Sequence, residues 1–285
     1  MTKVIEGRES GFKTNPDYKV LLEPSPRRVR VAFNGETIAD STNAHLLYET
    51  RHIPVYYFPR ADVRTDLLTP TEHHTYCPYK GTASYWSIKV GDRTAENAVW
   101  AYPDPYDEVP ELAGFTAFYW DRVDHWYEED EEIFVHARDP YKRVDVTLSK
   151  RPVRIIVGGE TVAETTRARF LFETRLPTRY YIPQEDVRMD LLVPSDKVTA
   201  CPYKGQASYW SVKIGDQLFP DIVWGYPEPI AECPKIKGLL SFFNEQVDAI
   251  LVDGVEVPRP VTRWSKDYNY RDPKMPDQSG PVSRP

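Results

Sequence analysis

Apolar and polar residues alternate along this chain in short runs, and no stretch sustains a helical repeat. Val29-Arg30-Val31-Ala32-Phe33 has a period of two, which buries one face of a strand and leaves the other toward water. Asn34-Gly35 comes next, followed by Glu36-Thr37-Ile38-Ala39. Asn-Gly between two β-forming runs predicts a hairpin, because both central residues of a type I′ turn need φ > 0. Leu46 to Arg51 and Val55 to Phe58 predict two further strands, and Pro59 predicts a short helical turn over Arg60-Ala61-Asp62-Val63. Thr82 to Val90, Ala98 to Tyr102, Gly114 to Trp120 and Val123 to Tyr127 complete the set. The pattern predicts an all-β fold with minor α content, built from short antiparallel strands.

The same pattern then recurs. Cys77-Pro78-Tyr79-Lys80-Gly81 and the run through Ser87 reappear from Cys201 to Ser211, an offset of 124 residues. Without a gap, that offset also matches Gly35 to Gly159, Glu49 to Glu173, Asp62 to Asp186 and Trp100 to Trp224. A period this long is the size of a small domain rather than of a solenoid unit. The chain therefore reads as an arm (1–25), a first copy (26–127), an acidic linker (128–149), a second copy (150–257) and a Pro-rich tail (258–285). Equal loop lengths in the two copies predict packing about a pseudo-two-fold axis, a monomer acting as a pseudo-dimer, or a dimer of it.

Composition narrows the class. A net charge of −7 gives no general basic footprint, so nucleic acid is not expected as a partner. No apolar run approaches the roughly 18 residues a membrane span needs, and Met1 to Lys13 lacks the apolar core of a secretory signal. Three cysteines supply no even disulfide framework, and a cytoplasmic setting is the natural expectation. Gly-rich phosphate loops and a Gly-x-Ser-x-Gly elbow are absent.

The repeat also filters the candidates for chemistry. All six histidines precede residue 137, so a histidine site common to both copies is excluded. His73-His74 reads as a polar strand edge, and no cofactor or metal is expected. Both copies keep Glu49/Glu173, Arg51/Arg175, Tyr57/Tyr181, Asp62/Asp186, Cys77/Cys201, Lys80/Lys204, Tyr85/Tyr209 and Trp100/Trp224. A lysine near a carboxylate could act as an acid–base pair or grip an anion, and a cysteine beside a lysine could become a thiolate. Cys-Pro biases the cysteine to extended backbone and Gly81 allows a left-handed exit, which holds Lys80 at the tip of a rigid turn. Glu49 and Arg51 are two apart on one strand and are expected on one side of it.

The order Leu-(Tyr/Phe)-Glu-Thr-Arg, Tyr-Tyr-x-Pro-x-x-Asp-Val-Arg, Leu-Leu-x-Pro, Cys-Pro-Tyr-Lys-Gly-x-Ala-Ser-Tyr-Trp-Ser and Val-Trp-x-Tyr-Pro-x-Pro resembles the DUF427 family in both copies. The resemblance implies a small β-rich domain similar to the Mss4-like or β-tent folds, and it implies little about activity. β-Tent domains often hold zinc through two Cys-x-x-Cys pairs. Each copy here has one matched cysteine, so no structural zinc is expected.

Three functions follow. The first is binding of a small polar or anionic molecule by Arg51, Tyr57, Lys80, Tyr85 and Trp100 with Glu49, or by Arg175, Arg179, Tyr181, Cys201 and Trp224. The second is a metal-independent lyase, isomerase or hydrolase using Glu173, Asp186, Lys204 and Tyr209. The third is a scaffold in which duplication replaces a homodimer. Arg179, where the first copy has Val55, is expected at the pocket mouth and would favour the second copy as the stronger anion site.

Overall fold

A computed structural model describes residues 3–269. The chain divides between Asp139 and Pro140 into two units. Both are built from antiparallel sheets, and the helical segments among the described residues are 3-10 turns of at most five residues. No helix among those residues is long and apolar enough to cross a membrane.

In the first unit a seven-stranded sheet runs in the order Val20–Pro24, His45–Glu49, Val55–Pro59, Phe115–Phe118, Arg93–Ala101, Gly81–Val90, Leu68–Cys77. A second sheet of four strands, Glu131–Ile133, His125–Glu128, Val29–Phe33 and Glu36–Ser41, covers one face of it. Alternation decides what each face receives. Leu46 and Tyr48, Tyr56 and Phe58, Ile88 and Val99 enter the core between the sheets, with Val29, Val31, Ile38 and Trp126 opposite. Leu47, Tyr57, Tyr85 and Trp100 face away from that core, into a second cluster with Tyr102, Val109 and Leu112. Burying Phe58 and Phe118 completely contributes about 1.5–3 kcal/mol each. The predicted hairpin forms with Asn34 and Gly35 at φ 49° and 80°, and Gly158-Gly159 repeats it at 59° and 78°.

The second unit repeats these elements with one interruption. Val144–Leu148, Arg169–Glu173 and Arg179–Tyr181 form one sheet, and Leu192–Cys201, Gly205–Ile214, Gln217–Gly225 and Leu240–Phe242 form another. Ile182 and Leu240 exchange backbone hydrogen bonds of 2.7 and 2.9 Å between them, at the place where the first unit pairs continuous strands. Glu160–Thr165, Val153–Val157, Ala249–Val252 and Val255–Glu256 make the covering sheet.

Two segments, the arm and the acidic run, lie elsewhere than the sequence suggests. Residues 3–19 are packed against the first unit: Lys3 bonds Asp104 and the Pro105 carbonyl, Glu6 accepts from Thr82, and Gly11 donates to Pro78. The acidic run expected in a linker is a β-hairpin. Glu128 is buried and accepts from Tyr56 at 2.9 Å, while Glu129 occupies the turn at φ 52°. The short helical turn expected after Pro59 forms as a 3-10 turn over Arg60–Asp62. The tail is docked as far as it is described, with Thr262 1% exposed and Trp264 against the second unit's cluster; Tyr270, Pro273, Pro276, Pro281 and Pro285 lie outside the described residues.

Candidate functional site

The recurring turn positions its lysine inward. In the first unit the turn joins Leu68–Cys77 to Gly81–Val90, and Lys80 N–H donates to the Cys77 carbonyl at 3.3 Å. Gly81 leaves the turn at φ 99°, and a Cβ there would stand 2.7 Å from Ile5 Cδ1. Gly205 repeats the conformation at φ 105°, with the Glu228 carbonyl 3.1 Å from the same point. Both positions need glycine for the left-handed backbone, and at Gly205 the close approach of the Glu228–Ile230 backbone adds to that need.

Lys80 is 7% exposed and Lys204 is 8% exposed, so neither reaches outward from a turn tip as expected. Each turns back to a strand-end glutamate. Lys80 Nζ donates to Glu49 Oε2, and Lys204 Nζ donates to Glu173 Oε2 at 2.5 Å. The glutamate's other oxygen is held differently in the two units. Tyr18 Oη donates to Glu49 Oε1 at 2.7 Å, whereas Lys142 Nζ lies 3.1 Å from Glu173 Oε1. The turn tyrosine follows suit. Tyr18 stacks on Tyr79 with centroids 3.5 Å apart, and Lys142 sits 5.5 Å above the Tyr203 ring.

Burial alone would raise both carboxyls, but the facing lysines hold Glu49 and Glu173 below their ordinary values. Burial would likewise lower the lysines, yet the surrounding groups push Lys80 up to about 12 and raise Lys204 as well. All four groups are therefore fully charged near neutrality. Burial pushes the Cys77 thiol up in spite of Lys80, so it is no ready thiolate.

Aromatic residues back each ion pair. Trp100 Nε1 donates to Tyr57 Oη at 3.1 Å, and Trp224 repeats this with Tyr181 at the same distance. Burial pushes the Tyr57 hydroxyl up to about 12. Tyr85 bonds Thr75 and Tyr209 bonds Thr199, both at 2.8 Å, one strand farther along the same faces.

Other predicted residues are not brought to the pair. Asp186 accepts from Thr165 at 2.6 Å and Arg167 at 2.8 Å, next to the covering sheet, and Asp62 accepts from Ser41 at 2.6 Å. The strands end at Glu49 and Glu173, and Arg51 and Arg175 follow in the left-handed region at φ 66° and 65°. The strict alternation that would align Arg51 with Glu49 is thus broken. Arg179, expected at a pocket mouth, is 5% exposed and spans both oxygens of Glu245 at 2.7 Å. Trp224, Phe243 and Trp264 surround its guanidinium at 5.2–5.8 Å. Among the described residues no cluster of histidine, cysteine and carboxylates suits a metal.

Sequence reasoning missed Tyr18 and Lys142 because both precede the assumed domain bounds. The signal was present: the repeat offset extends back to Pro16-Asp17-Tyr18 and Pro140-Tyr141-Lys142. Beside this cluster a recess of about 410 Å³ is lined by Arg143 to Thr147, Phe172 and Glu232 to Lys235. Its wall is a strand edge with one aromatic residue, not the aromatic pocket expected.

A family model described as a domain of unknown function, DUF427, matches residues 21–129 and again 145–253. No curated protein matches the chain. Tyr18 and Lys142, where the two ion-pair sites diverge, both lie just before the matched ranges.

Proposed function

Since the chain belongs to the DUF427 family in both halves, we propose that its second unit binds a small anionic molecule at Lys142, Lys204 and Glu173, the first unit serving as a self-capped support. One observation carries this reading: Glu173 is shared by two lysines. The trio holds one more positive charge than it neutralises, in a place where burial weakens screening. The first unit fills the equivalent position with the neutral Tyr18 and leaves no excess charge. A carboxylate or phosphate group suits the second arrangement, and a recess opens at Arg143, the chain neighbour of Lys142.

The charge states favour binding over acid–base catalysis. A general base or acid works best with a pKa near the operating pH, whereas Glu173 is held below its ordinary value and Lys204 above. A supporting role for the first unit agrees with the stacked Tyr18 and Tyr79 and with Phe12, which together cover the Lys80 turn.

Titration calorimetry at low ionic strength, with inorganic phosphate and with acetate as probes, tests the reading. Lys142→Tyr, which copies the first unit, should lose about 1.5–3 kcal/mol of binding free energy. Unchanged binding in this variant, or no binding of either anion by the unaltered protein, would overturn the proposal.

A further inference from the structure

We infer that Cys201 and Cys233 of the second unit form a dithiol site that closes to a disulfide when it meets a small-molecule disulfide. Both residues join one cluster, with Cys233 3% exposed and Cys201 half-buried against it. A relay of backbone hydrogen bonds ties them together. The Cys201 carbonyl accepts from Lys204 at 3.3 Å, the Lys204 carbonyl from Ile230 at 3.1 Å, and the Ile230 carbonyl from Cys233 at 3.0 Å. Gly205 lets the loop approach closely, since a Cβ there would stand 3.3 Å from Pro229 Cα. The first unit gives the same neighbourhood without the chemistry. Val109 holds the position matching Cys233, and it packs in the cluster that Cys77 joins.

Lys204, whose backbone N–H donates to the Cys201 carbonyl, opposes with its positive charge the burial that raises the Cys233 thiol. The half-buried Cys201 is the better first nucleophile, and the recess of about 410 Å³ reaches Cys233. Deprotonated Cys201 attacks one sulfur of the incoming disulfide, forming a mixed disulfide and releasing one thiolate, which takes up a proton. Cys233 gives up its proton and attacks Cys201 Sγ, releasing the second thiol. The protein is oxidised by two electrons and the small disulfide is reduced to two thiols. This chemistry does not require the anion-binding reading to hold.

The test uses the full chain, folded, with oxidised glutathione as the probe. After quenching, the protein is denatured in iodoacetamide and digested without reductant. The expected product is a peptide pair joined through Cys201 and Cys233, lighter by two hydrogens than the free peptides, with Cys77 alkylated. Cys233→Val, the residue found at the matching place in the first unit, should stop the reaction at a glutathione adduct on Cys201. Full alkylation of Cys233 in the unaltered protein would overturn the inference, as would a link that forms only after unfolding or only between chains.

Discussion

Lys142 lies 3.1 Å from Glu173 Oε1, at the point where the first unit sets a tyrosine hydroxyl against its own buried glutamate. The two units thus share one ion pair and differ in the group that completes it. A neutral donor closes the first site, while a second cation leaves the other with surplus charge. The difference also predicts how each pair responds when it is broken.

Lys80→Met leaves Glu49 buried with Tyr18 as its remaining side-chain donor among the described residues, and removing one partner of such a pair costs about 3–5 kcal/mol. Lys204→Met leaves Glu173 with Lys142, so its loss should be smaller. Urea denaturation of the two variants checks this. A larger loss for Lys204→Met would remove Lys142 as the compensating charge.

Acid dependence follows from the direction of the shifts. Glu49 and Glu173 are held below their ordinary value of 4.5, so their contribution to stability is present above that pH and lost as pH falls through the folded-state value. Lys80 has the opposite sign: raised to about 12, it contributes fully below its ordinary 10.5 and loses that contribution as pH rises through about 12. Between these limits the first unit's pair should add no pH dependence. The Glu49→Gln, Glu173→Gln double variant should give a shallower acid limb in melts from pH 6 to pH 3. An unchanged slope would mean that these carboxylates carry no linked protons.

The strands and the hairpin turns were legible in sequence because each has local or repeat-encoded causes, whereas the partner of Glu49 was left open between Lys80 and other groups. Period-two alternation separates Tyr56 from Tyr57 onto opposite faces, and Asn34-Gly35 specifies its own turn. What was illegible depended on the backbone leaving regular geometry or on distant segments arriving. Arg51 escapes the strand's alternation through a left-handed residue, which no pattern of apolar positions encodes. Arg179 was expected at a pocket mouth because its partner Glu245 is far along the chain. Domain bounds drawn from the densest identities cut off Tyr18 and Lys142, although both lie on the repeat.

Arg179 and Glu245 offer a separate test of what a buried ion pair does. Arg179→Met alone leaves Glu245, with a fully buried side chain, facing Thr262 and Asn244's neighbourhood without its cation, at a cost of about 3–5 kcal/mol. Arg179→Met with Glu245→Leu removes both charges, and should recover much of that loss. The first unit manages with Val55 at the matching position. A double variant as unstable as the single one would mean that the guanidinium stabilises through its three aromatic neighbours rather than through charge.

The segment after Val257 should stabilise the second unit through two residues that can be removed singly. Thr262 Oγ1 donates to Glu245 Oε1 at 2.6 Å, and Trp264 covers the Arg179 guanidinium at 5.2 Å. Thr262→Val keeps the volume but leaves a buried carboxylate oxygen short of a donor, which costs about 1–3 kcal/mol. Trp264→Ala gives up the apolar area that the indole covers on Phe243, and it opens the Arg179–Glu245 pair to water. That loss should reach about 2 kcal/mol, within the range for burying one large side chain. Arg259, which donates to the Glu245 and Asp248 carbonyls at 3.0 and 2.9 Å, keeps the start of the segment in place in both variants. Hydrogen exchange should therefore show faster exchange at Glu245 and its neighbours in Trp264→Ala, with amides near Glu49 unchanged. Uniform acceleration in both units would mean that Trp264 supports the chain globally, and no acceleration would mean that the docked segment adds nothing to the second unit.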